Sequence, residues 1–139
     1  MKVFIVSMAL CIIGIEALVF GWDMNSYSYL QTHLKALAES TAAAAAVNFN
    51  LEEFEDSGDI VFYQSEVEGF VEYFVFQASK DMTCFQNGSI CVEELVLDST
   101  GDKVGVCLSY TSNYDLFRSP FKSEKTLVHM SCYEWVTLD

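Results

Sequence analysis

The residue pattern predicts an α+β protein: a long N-terminal transmembrane helix that extends outside the membrane, a second amphipathic helix and a small antiparallel β-sheet. Three observations carry this prediction. An apolar run of twenty residues lies near the N-terminus, a 3.6-residue apolar period follows over 65–80, and β-prone runs fill the chain after Asp81. The 139 residues suffice for one domain. They divide into a transmembrane segment over 1–22, an extracytoplasmic extension of the helix over 23–48 and an α+β extracytoplasmic domain over 49–139.

Val3 to Trp22 reads VFIVSMALCIIGIEALVFGW, apolar except for Ser7 and Glu16. Twenty helical residues rise roughly 30 Å, enough to cross the hydrocarbon core of a bilayer. Lys2 precedes the run and Asp23 follows it. The positive-inside bias therefore places the N-terminus in the cytoplasm and the remainder outside, on the cell surface or otherwise extracytoplasmic. A cleavable secretory signal is the competing reading, but the run is long, contains an acid and has no A-x-A site near its end. Met8-Ala9-Leu10-Cys11 is a poor lipoprotein box because Leu10 is too large, and Cys11 reads as a membrane-embedded hydrophobe. Glu16 is costly in hydrocarbon unless protonated, near an interface or paired. With no base in the span, an intermolecular contact with a neighbouring subunit is the functional expectation for it.

No Gly or Pro occurs between Trp22 and Val47, so one helical rod is expected from about Val3 to Val47, roughly 65–70 Å long. Tyr27, Leu30, Leu34, Leu37, Thr41 and Ala44 recur at spacings of three and four and form one stripe. With Glu16, the leucines Leu30, Leu34 and Leu37 are the candidate assembly contacts. Asp23 after the span, followed by Leu34-Lys35-Ala36-Leu37-Ala38-Glu39-Ser40-Thr41-Ala42-Ala43-Ala44-Ala45-Ala46, resembles the N-terminal region of TadE/TadG-type pseudopilins. Ala38-Glu39 correspond to that family's Ala-acid pair. The resemblance covers roughly the first 47 residues. It implies a minor pilin-like subunit of a tight-adherence (Flp) pilus or a related secretion apparatus, with a pilin-like α+β layout and other such subunits as partners through the N-terminal helix. The prepilin processing pattern is not met, since Cys11 stands where a Gly is wanted and Ala17 where an aromatic is wanted.

Leu51 to Gly58 reads as an acidic connection and Asp59 to Tyr63 as a short strand. Over Ser65 to Lys80, Val67, Phe70, Val71, Phe74, Val75 and Ala78 fall on one helical stripe, with Glu66, Glu68 and Glu72 opposite. The alanine-rich face of the first helix is the expected partner of that stripe. Ile90–Leu97 and Val104–Tyr110 read as strands joined through Asp98-Ser99-Thr100-Gly101-Asp102. Leu127–Leu138 reads as a third, with Val128, Met130, Cys132, Glu134 and Val136 on one face and Leu127, His129, Ser131, Tyr133 and Trp135 on the other. Ser119-Pro120-Phe121 marks a loop or edge.

Four cysteines, Cys84, Cys91, Cys107 and Cys132, lie in the domain placed outside, and an even count there predicts two disulfides with three possible pairings. Asn87-Gly88 is a tight-turn signal, which favours Cys84–Cys91 across a hairpin and Cys107–Cys132 between strands. Free buried thiols are the alternative. Asn87-Gly88-Ser89 is also a glycosylation sequon.

A net charge of −13, with no base between Lys35 and Lys80, argues against nucleic acid as a partner. Glu52, Glu53, Glu55, Asp56 and Asp59 lack the ligand spacing of a calcium loop and read as a solvated acidic face. No C-x-x-C accompanies His33 or His129, so no metal site is expected. Neither a phosphate-binding loop nor a G-x-S-x-G motif occurs, and no catalytic residue or cofactor is expected. The leading functional expectation is therefore a non-enzymatic, membrane-anchored assembly subunit whose partners are the lipid bilayer and its fellow subunits. The alternative is a single-pass surface binding module, receptor or adhesin, using Tyr110, Tyr114, Phe117 and Phe121.

Overall fold

A computed structural model describes residues 1–98, 103–117 and 127–137 of the chain. The first element is α1 (Lys2–Val47), one uninterrupted helix of 46 residues that ends where the Asn48 N–H bonds the Ala45 carbonyl. Its most apolar 18-residue window has no buried residue and is long and apolar enough to cross a membrane. The second helix of the sequence reading is α3 (Gln64–Asp81), and the three strands are β1 (Gly88–Asp98), β2 (Lys103–Asp115) and β3 (Leu127–Thr137). They form an antiparallel meander in the order β1-β2-β3, so β2 is central and β1 and β3 are edges. The connections proposed over 98–102 and 119–121, and Leu138 of the third strand, lie outside the described residues, apart from Asp98 at the end of β1.

The connection after α1 departs from expectation. Leu51–Ser57 is a short helix, α2, rather than a plain linker. Asn50 caps it by accepting the Glu52 N–H, Glu52 and Glu53 fall in its first turn, and Gly58 closes it in the left-handed conformation (φ 77°). The 59–63 segment is not a strand and joins no sheet among the described residues. It is held instead to the cap: the Asn50 N–H bonds the Val61 carbonyl, Asn50 Nδ2 donates to the Tyr63 hydroxyl, and that hydroxyl donates to Glu53.

Both long helices cover one face of the sheet, α1 over β2 and β3 and α3 over β1, and they touch each other at the seam. The α1 stripe is thus shared between α3 and the sheet. Leu30, Leu34, Leu37, Ala38, Thr41, Ala42, Ala45 and Ala46 are all buried, as are Val67, Val71 and Val75 of α3. From the sheet, Val104, Val106, Leu108, Tyr110 and Met130 close the core. The Thr41 hydroxyl is satisfied by donating to the Leu37 carbonyl 2.7 Å away. Of the aromatic stripe expected on α3, Phe74 packs against the core, but Phe70 is turned out to solvent.

Gly88 opens β1 beneath the ring of Tyr110, and a Cβ added there would come 2.4 Å from Tyr110 Cε2 and 2.5 Å from the Thr111 carbonyl oxygen. Both obstacles sit in the central strand, which cannot yield cheaply. The Gly88→Ala variant is therefore expected to lose about 1–3 kcal/mol of stability by overpacking. Denaturant unfolding measures this, and an unchanged midpoint would show that Tyr110 is not seated over Gly88.

Candidate functional site: the faces of the N-terminal helix and the cysteines

Among the first 22 residues only Glu16 and Val19 are not exposed. At about 100° per residue they share a face with Asp23, Tyr27 and Leu30, so the domain-side stripe of α1 continues down into the apolar run. Asp23, at the boundary of the run, is 2% exposed. Tyr27 packs against the core with its ring 5.9 Å from that of Phe117. Lys35 reaches across to Glu134 of β3 at 3.9 Å and along the helix to Glu39 at 3.7 Å. Such partly exposed pairs contribute at most about 1 kcal/mol, so they orient the helix more than they hold it.

Three of the expected assembly contacts are therefore placed differently. Leu30, Leu34 and Leu37 lie inside the chain's own core, because the three-and-four spacing that marks a packing face is satisfied by the sheet of the same molecule. Glu16 is half-buried on that same side of α1. What α1 leaves open is the opposite face. Gly14 and Gly21, seven residues apart, lie there, and a Cβ at either would meet nothing within 4 Å.

All five cysteines are free thiols in the structure, and neither expected bridge is seen. Strand register supplies the reason for one pair. Cys107 stands opposite Tyr133, and Cys132 opposite Leu108, so the two cysteines occupy opposite faces of the sheet. For the other, residues 83–85 form a 3₁₀ turn and not a hairpin arm, with Cys84 against the core. Ile90 and Val92 pack inward and Cys91 between them is exposed on the outer face. The Asn87-Gly88 signal marks the entry to β1, where Gly88 is required by Tyr110 rather than by a two-residue hairpin turn.

Burial pushes the Cys84 thiol up from its ordinary pKa. Burial first, then the Glu93 and Glu94 carboxylates, does the same for Cys107, and burial with Glu134 for Cys132. These thiols stay protonated and poorly nucleophilic near neutrality. The phenols of Tyr110 and Tyr133 are likewise raised by burial, and that of Tyr63 by its bond to Glu53.

The binding aromatics fare unevenly. Tyr110 is fully buried against Phe85, Tyr114 is exposed, Phe117 packs on the core, and Phe121 lies outside the described residues. His129 joins the three strands across the outer face: Nδ1 meets the Thr111 hydroxyl at 2.9 Å and Nε2 lies 3.6 Å from Glu93. Both ionisable partners are about half exposed, so the cluster is a solvated cross-link of the sheet. Among the described residues no group of three or more His, Cys, Asp or Glu side chains is disposed to hold a metal ion. Scans against protein-family models, curated proteins and solved structures each return no match to this chain.

Two outcomes follow from the free, protonated thiols. Alkylation in denaturant without reductant should add five groups per chain, one for each cysteine; an adduct count that rises only after reduction would reveal a bridge. The raised thiols and phenols hold their protons longer in the folded chain than in the unfolded one. Stability present below the unfolded-state values is then lost as pH rises through them and on to the folded values. Thermal midpoints should fall between about pH 8.5 and 10.5, the range in which free thiols and phenols ionise. A flat or rising profile there would contradict the burial of Cys84, Cys132 and Tyr110.

Proposed function

We propose that the chain is a non-enzymatic, membrane-anchored subunit of a pilin-like surface or secretion assembly, with copies packed through the open face of α1. The observation that carries this reading is the division of α1 into two faces. One stripe, from Glu16 through Leu37 to Ala45, is committed to the chain's own domain, and the opposite face over 2–22 is apolar, exposed and relieved of side chains at Gly14 and Gly21. Glycines at such spacing let helix backbones approach closely within a bilayer, where van der Waals contact rather than water expulsion drives association. The apolar run spans the bilayer in this reading, and Lys2 sets the domain on the extracytoplasmic side. The resemblance of roughly the first 47 residues to TadE/TadG-type pseudopilins supports the same assignment. Since all five thiols are free, the cysteines lend nothing to that orientation.

The test is co-purification of two differently tagged copies from membranes. Wild-type copies should recover one another, and Gly14→Leu with Gly21→Leu should cut recovery at least about fivefold, the effect of roughly 1 kcal/mol of lost helix contact. Space around both glycines is open, so the thermal midpoint of the domain should not move. Failure of wild-type copies to associate, or undiminished recovery of the variant, would remove the assembly reading.

A further inference from the structure

The side of the molecule remote from α1's open face carries a second unpartnered surface, where α3 passes over β1. α3 exposes Phe70, Tyr73 and Phe76, the last two by 62% and 56%. Tyr73 and Phe76 line a groove of about 690 Å3 whose opposite wall is Ile90, Cys91 and Val92. Ile90 and Val92 point to the core side of β1 and Cys91 to the outer side. A single groove reaches both directions only along the strand's free edge. That edge is open, because β1 pairs with β2 alone among the described residues.

The groove continues into a smaller cleft of about 160 Å3 walled by Glu68 and Glu72 of α3 and by Glu93 and Glu94 of β1. The register shift between Val92 and Glu94 is what turns both of these successive β1 residues toward exposure. Gln64 donates to Glu68 at 2.7 Å, and His129 lies near Glu93, but among the described residues no Lys or Arg lines either cleft. The aromatic wall itself accepts a cation, since the Lys80 ammonium sits 4.0 Å from the centre of the Phe76 ring.

We infer that this groove takes an extended, Lys- or Arg-bearing apolar segment of a partner protein as a fourth strand on β1, with its apolar side chains against Tyr73 and Phe76 and its cations in the four-glutamate cleft. An unpaired edge supplies main-chain hydrogen bonds, and pockets for alternate side chains supply selectivity. Ile90 to Leu95 spans roughly 17 Å of strand, which fits a segment of about six residues. The carboxylates fix the sign of the partner, and they also reject a second copy of β1, whose own edge would bring Glu93 and Glu94 against their equals. The inference is independent of how α1 meets a bilayer.

Full-length protein in non-ionic detergent, titrated into a fluorescein-labelled Lys-Val-Lys-Val-Lys-Val peptide, tests it by anisotropy. Glu72→Gln with Glu93→Gln should weaken binding at least about fivefold, the scale of two partly exposed ion pairs. Glu52→Gln with Glu55→Gln, which removes the same charge from α2, should leave binding unchanged. The same peptide N-methylated on alternate amides should also bind at least about fivefold more weakly, having lost ladder bonds. No binding of the peptide, equal losses in the two double variants, or undiminished binding of the N-methylated peptide would each overturn the proposal.

Discussion

The burial of one narrow stripe of α1 on the sheet is the constraint from which the remaining architecture follows. A helix this long presents far more surface than a small domain can cover, and only residues at three-and-four spacing reach the core. Leucines fill the half nearest the apolar run and alanines the half beyond it. The alanines let neighbouring elements come close, and Thr41 keeps its hydroxyl satisfied within the helix. Because no Gly or Pro interrupts the chain between Trp22 and Val47, the stripe also fixes which side of the apolar run lies below the domain.

That constraint forces a distinction between two kinds of apolar helix surface. Leu30, Leu34 and Leu37 have the spacing of an interface and are one, but the partner is intramolecular. Gly14 and Gly21 bear no apolar side chain, yet they stand on the face with nothing against it. In water the larger apolar side chain is the stronger sign of a contact. In hydrocarbon it is not, because lipid tails solvate leucine as well as another helix does, and shape decides instead.

The long helices were legible because their apolar periods are complete: α1 and α3 begin and end within two residues of where the pattern puts them. The strands were legible by alternation, and the faces read for residues 129–136 match the inward packing of Met130, Cys132 and Val136. α2 was not, since it buries no residue and so leaves no period; only Asn50, its two first-turn glutamates and Gly58 mark it. The aromatic stripe on α3 was half legible. Periodicity gives a face about 100° wide, but whether Phe70 falls inside or outside depends on how far the helix is rolled on the sheet, which tertiary contact decides. The placement of the cysteines was not legible, for a sharper reason. Parity along a strand assigns a side chain to a face only once the register is known, and a shift of one residue exchanges Cys107 with Leu108.

Free thiols alter what holds the domain together. Bridges would have limited the unfolded chain, whereas in their absence stability rests on the buried face of one three-stranded sheet and two helices. Cys84 and Cys132 then serve as small hydrophobes at the margin of that core, and burial keeps them protonated in this role. A core built on one face alone leaves the other open, and there the sheet carries Tyr133 edge-on to Trp135, with the Trp135 ring laid over Gly105. These rings shield the central strand from water without a third layer. The acidic residues cluster on α2, on the outer side of α3 and at the β1 bulge, where like charges oppose pairing of that edge with a second copy, while the apolar stripe of α1 remains free of charge from Leu30 onward.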